Sequence, residues 1–375
     1  MRNLLFILFS LFLGSVFAVD CDLPCGAEEL IQCAAKSRDI SSEDFFNKKL
    51  FHPANIDGFC KNRSQAQVKT AQQKFFYDKF CQHSNESNYL SYTNFIKAAS
   101  YFPTFACEGS SDDRYKELSG FLTTIAEETS SKLYNYTNDG LYFRYENSAL
   151  RGCNLNNKTS YYPDSRYIVG VNSEGDIYSK KMWFGTLNRG AQVYDLTTTP
   201  EHIYWGDVDI PANFKPMTLN KLVMPGYWVG MGPIQLTGGV LIEFLGWYNN
   251  VVLDNKTDTY NLDEFIARYM YDGQMAFTGA FWYWMNRVGA AKYKTLHQMV
   301  TNTDKPVCHD IGAITPVVNG GCRGYNPGRV NYYKYFCNLF NVDINPVKTK
   351  VSYSNTTLTL NSMECSKNIR LYCQK

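Results

Sequence analysis

Two glutamates, Glu128 and Glu146, occupy settings that suit opposite roles in acid/base chemistry. Glu128 continues the apolar face of a predicted helix over 112–130, where loss of hydration favours the protonated form that a general acid needs. Glu146 lies in an alternating run beside Arg144, whose positive charge favours the ionised form that a general base needs. A carboxyl pair held in opposite protonation states is the arrangement that hydrolyses glycosides. By pattern alone, each residue also fits an ordinary solvated side chain.

The helix that positions Glu128 is predicted from its apolar spacing. Its buried stripe recurs at i, i+3, i+4 and i+7, which is typical of an amphipathic helix. The stripe consists of Leu118, Phe121, Leu122 and Ile125. Glu128 follows Ile125 by three positions, and Ser111 is the predicted N-cap, with acidic residues in the first turn after it.

Two further segments carry groups that could bind a ligand. The glycine-rich run 230–239 lacks the phosphate-loop pattern and contains Pro233, which has no amide to offer a phosphate. It predicts either a tight loop presenting Gln235 and Thr237 or a plain structural turn. The aromatic run 277–284 fits a buried helix better than a ligand platform, although both remain open.

Composition excludes several classes of protein. The chain has 375 residues, of which 45% are hydrophobic and 19% charged, so bulk disorder is excluded. Lys and Arg number 37 against 35 Asp and Glu, which leaves no basic excess for nucleic-acid binding. The five histidines do not cluster and no C-x-x-C pair occurs, so a structural zinc site is not expected.

The N-terminus predicts entry into the secretory route. Residues 1–18 form a signal peptide with a basic start, an apolar run and a small-residue end, and no later apolar run is long enough to span a membrane. All 12 cysteines follow it, so up to six disulfides and no free thiol are expected. Six N-x-S/T sequons predict glycosylation at Asn62, Asn85, Asn135, Asn157, Asn255 and Asn355.

The remaining chain divides by pattern into three parts. Residues 19–40 are a short Cys-rich lead, and helical periods dominate 41–345. An irregular, partly β insertion interrupts that region at about 152–224, where Tyr, Asn, Asp, Gly and Pro are frequent. Residues 346–375 form a strand-bearing tail tied down by Cys365 and Cys373.

Several segments resemble the family 19 glycoside hydrolases, the plant-type chitinases. Phe277-Thr278-Gly279-Ala280-Phe281-Trp282-Tyr283-Trp284-Met285 looks like the family's aromatic helix. Segments 45–52, 92–103, 305–310 and 314–321 resemble further family motifs, in the same order. The resemblance implies a mainly α, two-lobed, lysozyme-like fold whose cleft holds a β-1,4-linked N-acetylglucosamine polymer.

The resemblance also implies roles for single residues. Glu128, in Glu127-Glu128-Thr129, matches the general acid and Glu146 the general base of an inverting mechanism, which needs no cofactor. The implied substrate-binding residues are Gln235, Thr237, Asn319 and Arg329. The implied protein is a monomeric chitinase that acts outside the cell or in an endolysosomal compartment, on chitin or a related amino-sugar polymer.

The chain departs from the family pattern at positions near these residues. Glu127 stands where the family has His, and Val240 and Leu241 stand where it has Tyr and Asn. Met231 replaces an Arg, and Gly328 replaces an Asp. Two alternatives therefore stay open: a glycan-binding protein that has lost turnover, and a hydrolase of another polymer such as peptidoglycan.

Overall fold

The computed structural model describes about half of the chain in separate ranges. They are 21–51, 90–130, 140–141, 165–171, 177–183, 215–217, 230–236, 238–253, 268–269, 272–286, 294–319, 321–322, 325–353 and 356–374. The predicted signal peptide, Glu146, Thr237 and all six glycosylation sequons lie outside these residues.

Helices dominate the described residues. Their bounds in chain order are α1 (Gly26–Lys36), α2 (Ser42–Phe45), α3 (Tyr92–Ala99), α4 (Ser111–Thr129), α5 (Gly238–Trp247), α6 (Gly273–Met285), α7 (Leu296–Val300), α8 (Ile311–Val318), α9 (Pro327–Leu339) and α10 (Lys367–Gln374). π-Helical turns at Phe46–Leu50 and Tyr248–Val252 extend α2 and α5, and Pro306–Cys308 forms a 3₁₀ turn. None of these described helices is long and apolar enough to cross a bilayer.

Strands occur in two places. The antiparallel strands β1 (Ser165–Val171), β2 (Ile177–Trp183) and β3 (Lys215–Met217) form a sheet of order β2-β1-β3 inside the predicted insertion. In the tail, β4 (Lys348–Tyr353) pairs antiparallel with β5 (Thr356–Asn361). The predicted mainly α fold with a partly β insertion is therefore confirmed.

The aromatic helix α6 lies in the core, which settles the choice left open by the sequence. Phe277, Phe281 and Trp284 have no exposed surface. The Phe281 ring stacks on Phe121 of α4 at 4.6 Å between centroids and lies 5.2 Å from Phe95 of α3. Burial of rings of this size contributes roughly 1.5–3 kcal/mol each, so α6 holds α3 and α4 together.

Helix α4, which carries Glu128, has the predicted stripe but begins one residue earlier than predicted. All four stripe residues are fully buried. The N-cap is Ser110 rather than Ser111: the Ser110 hydroxyl accepts from Asp113 N–H at 3.2 Å, and the Asp113 carboxylate accepts from Ser110 N–H at 3.0 Å. This reciprocal capping box satisfies two amides at the start of the helix, which is why the helix starts there.

A buried carboxylate ties α4 to its neighbours. Glu117 has no exposed surface, and its Oε2 accepts from Ala106 N–H at 2.9 Å. Its Oε1 accepts from Trp284 Nε1–H and contacts His297 Nδ1, each at 2.8 Å. On its other side, His297 Nε2 lies 3.5 Å from the Glu108 carboxylate. Removing the Glu117 side chain would leave these donors without a partner, at roughly 1–3 kcal/mol each.

Both ends of the described chain are built into the same structure. Helix α1 packs into the main core through Leu30 and Ile31, and bridges Cys21–Cys33 and Cys25–Cys107 fix it. The predicted strand at 357–360 is confirmed within β5. The bridges Cys308–Cys373 and Cys322–Cys365 tie the tail to the helical region.

The expectation that no cysteine is free is wrong. Cys337 of α9 is a free, fully buried thiol. Burial raises the pKa of its thiol to about 12, against the opposing hydrogen bonds of Ser119 and Tyr333. An even cysteine count does not show which positions face each other, so the free thiol was not predictable from it.

The thiol count of the denatured chain tests this pairing. The described bridges use eight of the 12 cysteines, and Cys337 is free. Three cysteines remain (60, 81 and 153), and an odd number cannot pair completely within one chain. We expect at least two thiols per monomer to react in denaturant without reductant, and Cys337→Ala to remove one of them.

The folded protein adds a control to that titration. Because the Cys337 thiol is buried with a raised pKa, it should react slowly before denaturation. A monomer with no reactive thiol in denaturant would contradict the pairing, whereas an intermolecular disulfide would show as a dimer in non-reducing gels.

The His297–Glu117 contact should make stability depend on pH. Burial opposes protonation of His297, but the hydrogen bond and charge of Glu117 and the charge of Glu108 outweigh it, and its pKa is raised. This contribution is complete below the ordinary histidine pKa of about 6.5 and is lost as pH rises through the raised folded-state pKa.

Urea unfolding measured between about pH 5 and 9 tests this expectation, since that range begins below the ordinary histidine pKa of about 6.5 and extends well above it. The free energy of unfolding should fall more steeply with rising pH in the wild type than in His297→Asn, whose amide does not titrate. Glu43→Gln, which changes an exposed carboxylate of α2, should keep the wild-type slope. A His297→Asn profile parallel to that of the wild type would contradict the assignment.

Candidate active site

Glu128 lies in the last turn of α4 and is paired with a buried arginine. Arg329 Nη2 donates to Glu128 Oε1 at 2.6 Å. The Arg329 side chain is 1% exposed and that of Glu128 is 25% exposed. A charge-assisted hydrogen bond this short fixes the carboxylate more firmly than a neutral one. One predicted site residue therefore contacts another across 201 positions of sequence.

Arg329 is placed by the start of α9. Asn326 is the N-cap, and its Oδ1 accepts from Arg329 N–H at 2.9 Å. Pro327 occupies the first helical position, where its missing N–H costs nothing and its fixed φ favours the helix. This cap sets the direction in which the Arg329 side chain leaves the helix.

Glu127, which replaces the family's His, contacts the same helix start. Its Oε1 accepts from Asn326 Nδ2–H at 2.6 Å. Two consecutive carboxylates at the end of α4 therefore contact the N-terminal turn of α9, where the helix dipole favours negative charge. Asn326 was not among the predicted site residues, although an Asn-Pro pair before a helical run is a recognisable start signal.

The setting of Glu128 differs from the purely apolar face that its spacing predicts. The side chain follows the buried stripe, but it lies at the helix terminus, is partly accessible and contacts a guanidinium. Periodicity locates the face of a helix. It carries no information on a cation supplied by another helix.

The chain that leads to Glu146 is anchored beside Glu128. Leu141 N–H donates to Thr129 Oγ1 at 2.6 Å, and Leu141 is fully buried with a φ of 56°. Gly140, with a φ of 155°, packs so closely on Phe51 and Ala126 that a Cβ there would lie 2.9–3.1 Å from them. Leu141 is therefore held at the end of α4, five positions before Glu146 in the sequence.

Gln235 lies in a tight loop. Met231 and Leu236 form an antiparallel bridge, and Gln235 takes a left-handed φ of 55°. Gln235 Nε2–H donates to Gly232 O at 2.9 Å, which fixes the orientation of the amide. Tyr269 backs this loop: a Cβ at Gly232 would lie 2.4 Å from its hydroxyl.

Asn319 belongs to a different element from Gln235. It is the exposed C-cap of α8, and its N–H donates to Thr315 O at 3.0 Å. Among the family departures, Leu241 and Met231 have no exposed surface and belong to the core, while Val240 is half-buried. In the ranges that the structure describes, no three His, Cys, Asp or Glu side chains are grouped to hold a metal ion.

Comparison with known proteins points to one group of enzymes, although no family model matches the chain. "Chitinase 10" of Oryza sativa subsp. japonica is 24% identical over 272 residues, covering 69% of this chain and 71% of that protein. "Inactive chitinase-like protein 1" of Hevea brasiliensis is 23% identical over 285 residues, covering 71% and 69%. A crystal structure of a bacterial family 19 chitinase shares 19% identity, covers 74% of this chain and 96% of that one, and has a TM-score of 0.38.

The sequence relationship to plant chitinases extends over more than two thirds of this chain and agrees with the motifs found in it. The motifs and the curated plant chitinases together support a plant-type chitinase domain of the family 19 glycoside hydrolases in this chain.

Proposed function

We propose that the protein is a secreted glycoside hydrolase that cleaves β-1,4-linked N-acetylglucosamine polymers with inversion. Glu128 is the general acid and Glu146 the general base. The observation that carries the proposal is the pairing of a partly exposed Glu128 with the buried Arg329 at the end of α4. A carboxyl held by a buried guanidinium yet open to solvent has both a fixed position and access to a substrate, and the proposed role requires that it be protonated when the substrate binds.

The pairing assigns different tasks to the two oxygens of Glu128. Arg329 contacts Oε1, so Oε2 is the oxygen that would carry the proton to the glycosidic oxygen. As the carbon–oxygen bond breaks, that proton leaves and Glu128 becomes a carboxylate. Arg329 then stabilises the charge that develops, without rearranging during the reaction.

The second carboxylate completes the reaction. Glu146 takes a proton from a water that attacks the anomeric carbon on the face opposite the leaving oxygen, which requires carboxyls roughly 6.5–9.5 Å apart. Anchoring of Leu141 on Thr129 supports this role, because it starts the segment that carries Glu146 at the acid's own helix end. In this proposal Gln235 and Thr237 hold the water, while Asn319 contacts the sugar.

A glycan-binding protein without turnover is the second candidate. Leu241 stands where the family has Asn and is packed in the core, so it offers no hydrogen bond to substrate or water. Glu127 stands where the family has His and contacts Asn326. An inactive chitinase-like protein is also among the relatives.

Glutamate-to-glutamine variants test the proposed roles. Glu128→Gln can still accept from Arg329 but has no acidic proton, so turnover of N-acetylglucosamine oligomers should fall by at least about 100-fold with oligomer binding retained. Glu146→Gln should lose most activity and also the acidic limb of the pH–rate profile. Thr237→Ala should cost less, because it only helps to hold the water. Glu43→Gln, an exposed control, should match the wild type.

The outcomes separate the candidates. Near wild-type turnover in either Glu→Gln variant would show that the substituted glutamate does not have the role proposed for it. A wild type that binds oligomers but hydrolyses neither chitin nor peptidoglycan would establish the binding protein instead. Turnover of peptidoglycan but not of chitin would show that the proposed substrate is wrong, while the proposed mechanism would stand.

A further inference from the structure

We propose that Glu127 and Asn326 are positioning residues for the general acid, acting through Arg329. The inference rests on the proposed role of Glu128. It assigns a task to the glutamate that replaces the family's His and to an asparagine to which neither the motifs nor the relatives give a role.

The contacts form a closed ring of four residues. Glu127 Oε1 accepts from Asn326 Nδ2–H at 2.6 Å, and Asn326 Oδ1 accepts from Arg329 N–H at 2.9 Å. Arg329 Nη2–H donates to Glu128 Oε1 at 2.6 Å. The peptide bond between Glu127 and Glu128 completes the ring.

The ring uses both ends of the Asn326 amide, which determines its orientation. Oδ1 must face the Arg329 amide and Nδ2 must face a carboxylate, so a flipped amide would bring two acceptors together at Glu127. Glu127 therefore fixes the side chain that caps α9. The cap in turn fixes the backbone from which the Arg329 side chain extends to Glu128.

This geometry is needed because Arg329 has a long side chain and Glu128 lies at a helix end. A helix terminus frays unless its groups are satisfied, and a guanidinium on a moving backbone would let the carboxyl drift. Catalytic groups have to be held within roughly 0.5 Å of the productive geometry by residues around them. The ring provides this by joining the last turn of α4 to the first turn of α9.

The segment before Asn326 is itself braced by the tail. The Tyr325 hydroxyl donates to Met363 O, and the bridge Cys322–Cys365 fastens the same segment to the residues after β5. The position of Asn326 is thus held from both sides, by Glu127 and by the tail.

Two pairs of variants test the ring. Glu127→Ala removes the acceptor, whereas Glu127→Gln keeps a carbonyl oxygen at the same place. We expect kcat to fall about tenfold or more in Glu127→Ala with KM changed less than about threefold, because binding is intact and the acid is misplaced. Glu127→Gln should stay within about twofold of the wild type, since only its charge is lost.

The Asn326 pair separates capping from positioning. Asn326→Asp keeps the oxygen that caps α9 but puts a carboxylate against Glu127, so kcat should fall although the helix remains capped. Asn326→Ala loses both contacts, so its kcat should fall at least as far. Ser41→Ala removes the N-cap of α2, where Ser41 Oγ accepts from Asp44 N–H at 3.0 Å, and should leave kcat unchanged.

A second measurement does not need activity. A double-mutant cycle of urea unfolding compares the double variant with Asn326→Ala and Glu128→Ala. The folded-to-unfolded ratio of the double variant should differ by at least about threefold from the value expected if the two single effects were independent, because both act on Arg329. If the wild type shows no turnover, the proposed function fails, and this cycle alone tests whether the four residues of the ring are coupled. Additive unfolding effects overturn the ring in every case. With an active wild type, unchanged kcat in Glu127→Ala also overturns it.

Discussion

The burial of one charged side chain, Glu117, organises the part of the molecule on which the site depends. A carboxylate without any exposed surface is tolerated only when its oxygens are hydrogen-bonded. Here the partners come from three other places in the chain: the loop at Ala106, helix α6 through Trp284, and helix α7 through His297. Helix α4 is therefore fixed in position and rotation well before it reaches Glu128.

The far end of α4 is fixed in a different way. Glu127 and Glu128 contact the first turn of α9, while Thr129 accepts from Leu141. Polar contacts at this end replace the hydrophobic packing of the stripe, and the Glu128 side chain remains 25% exposed. That combination suits a group that must be both fixed and accessible.

Local pattern predicted much of this arrangement. The stripe from Leu118 to Ile125 gave helix α4 and its buried face, and the aromatic run gave the buried helix α6. The strand in the tail followed from alternating Thr and Leu residues. These features depend on residues a few positions apart, which is the range over which periodicity acts.

Non-local features were beyond the reach of pattern. The pairing of Glu128 with Arg329 spans 201 positions, and that of Glu117 with His297 spans 180. No single-sequence spacing rule connects such residues, and Glu117 was not singled out at all. The free thiol of Cys337 was missed for the same reason. The predicted start of α4 was one residue too late, because the adjacent serines Ser110 and Ser111 can both serve as caps. Only the reciprocal hydrogen bond with Asp113 selects Ser110.

The anomeric form of the first product tests the central claim most directly. Hydrolysis of a β-1,4-linked N-acetylglucosamine hexamer can be followed by proton NMR, with spectra taken before the new reducing ends mutarotate. If Glu128 protonates the leaving oxygen while Glu146 directs water to the opposite face, the new reducing ends appear as the α-anomer. A β-anomer product would indicate retention and contradict the roles assigned to the two glutamates. Absence of any new reducing end would contradict hydrolysis of this polymer itself.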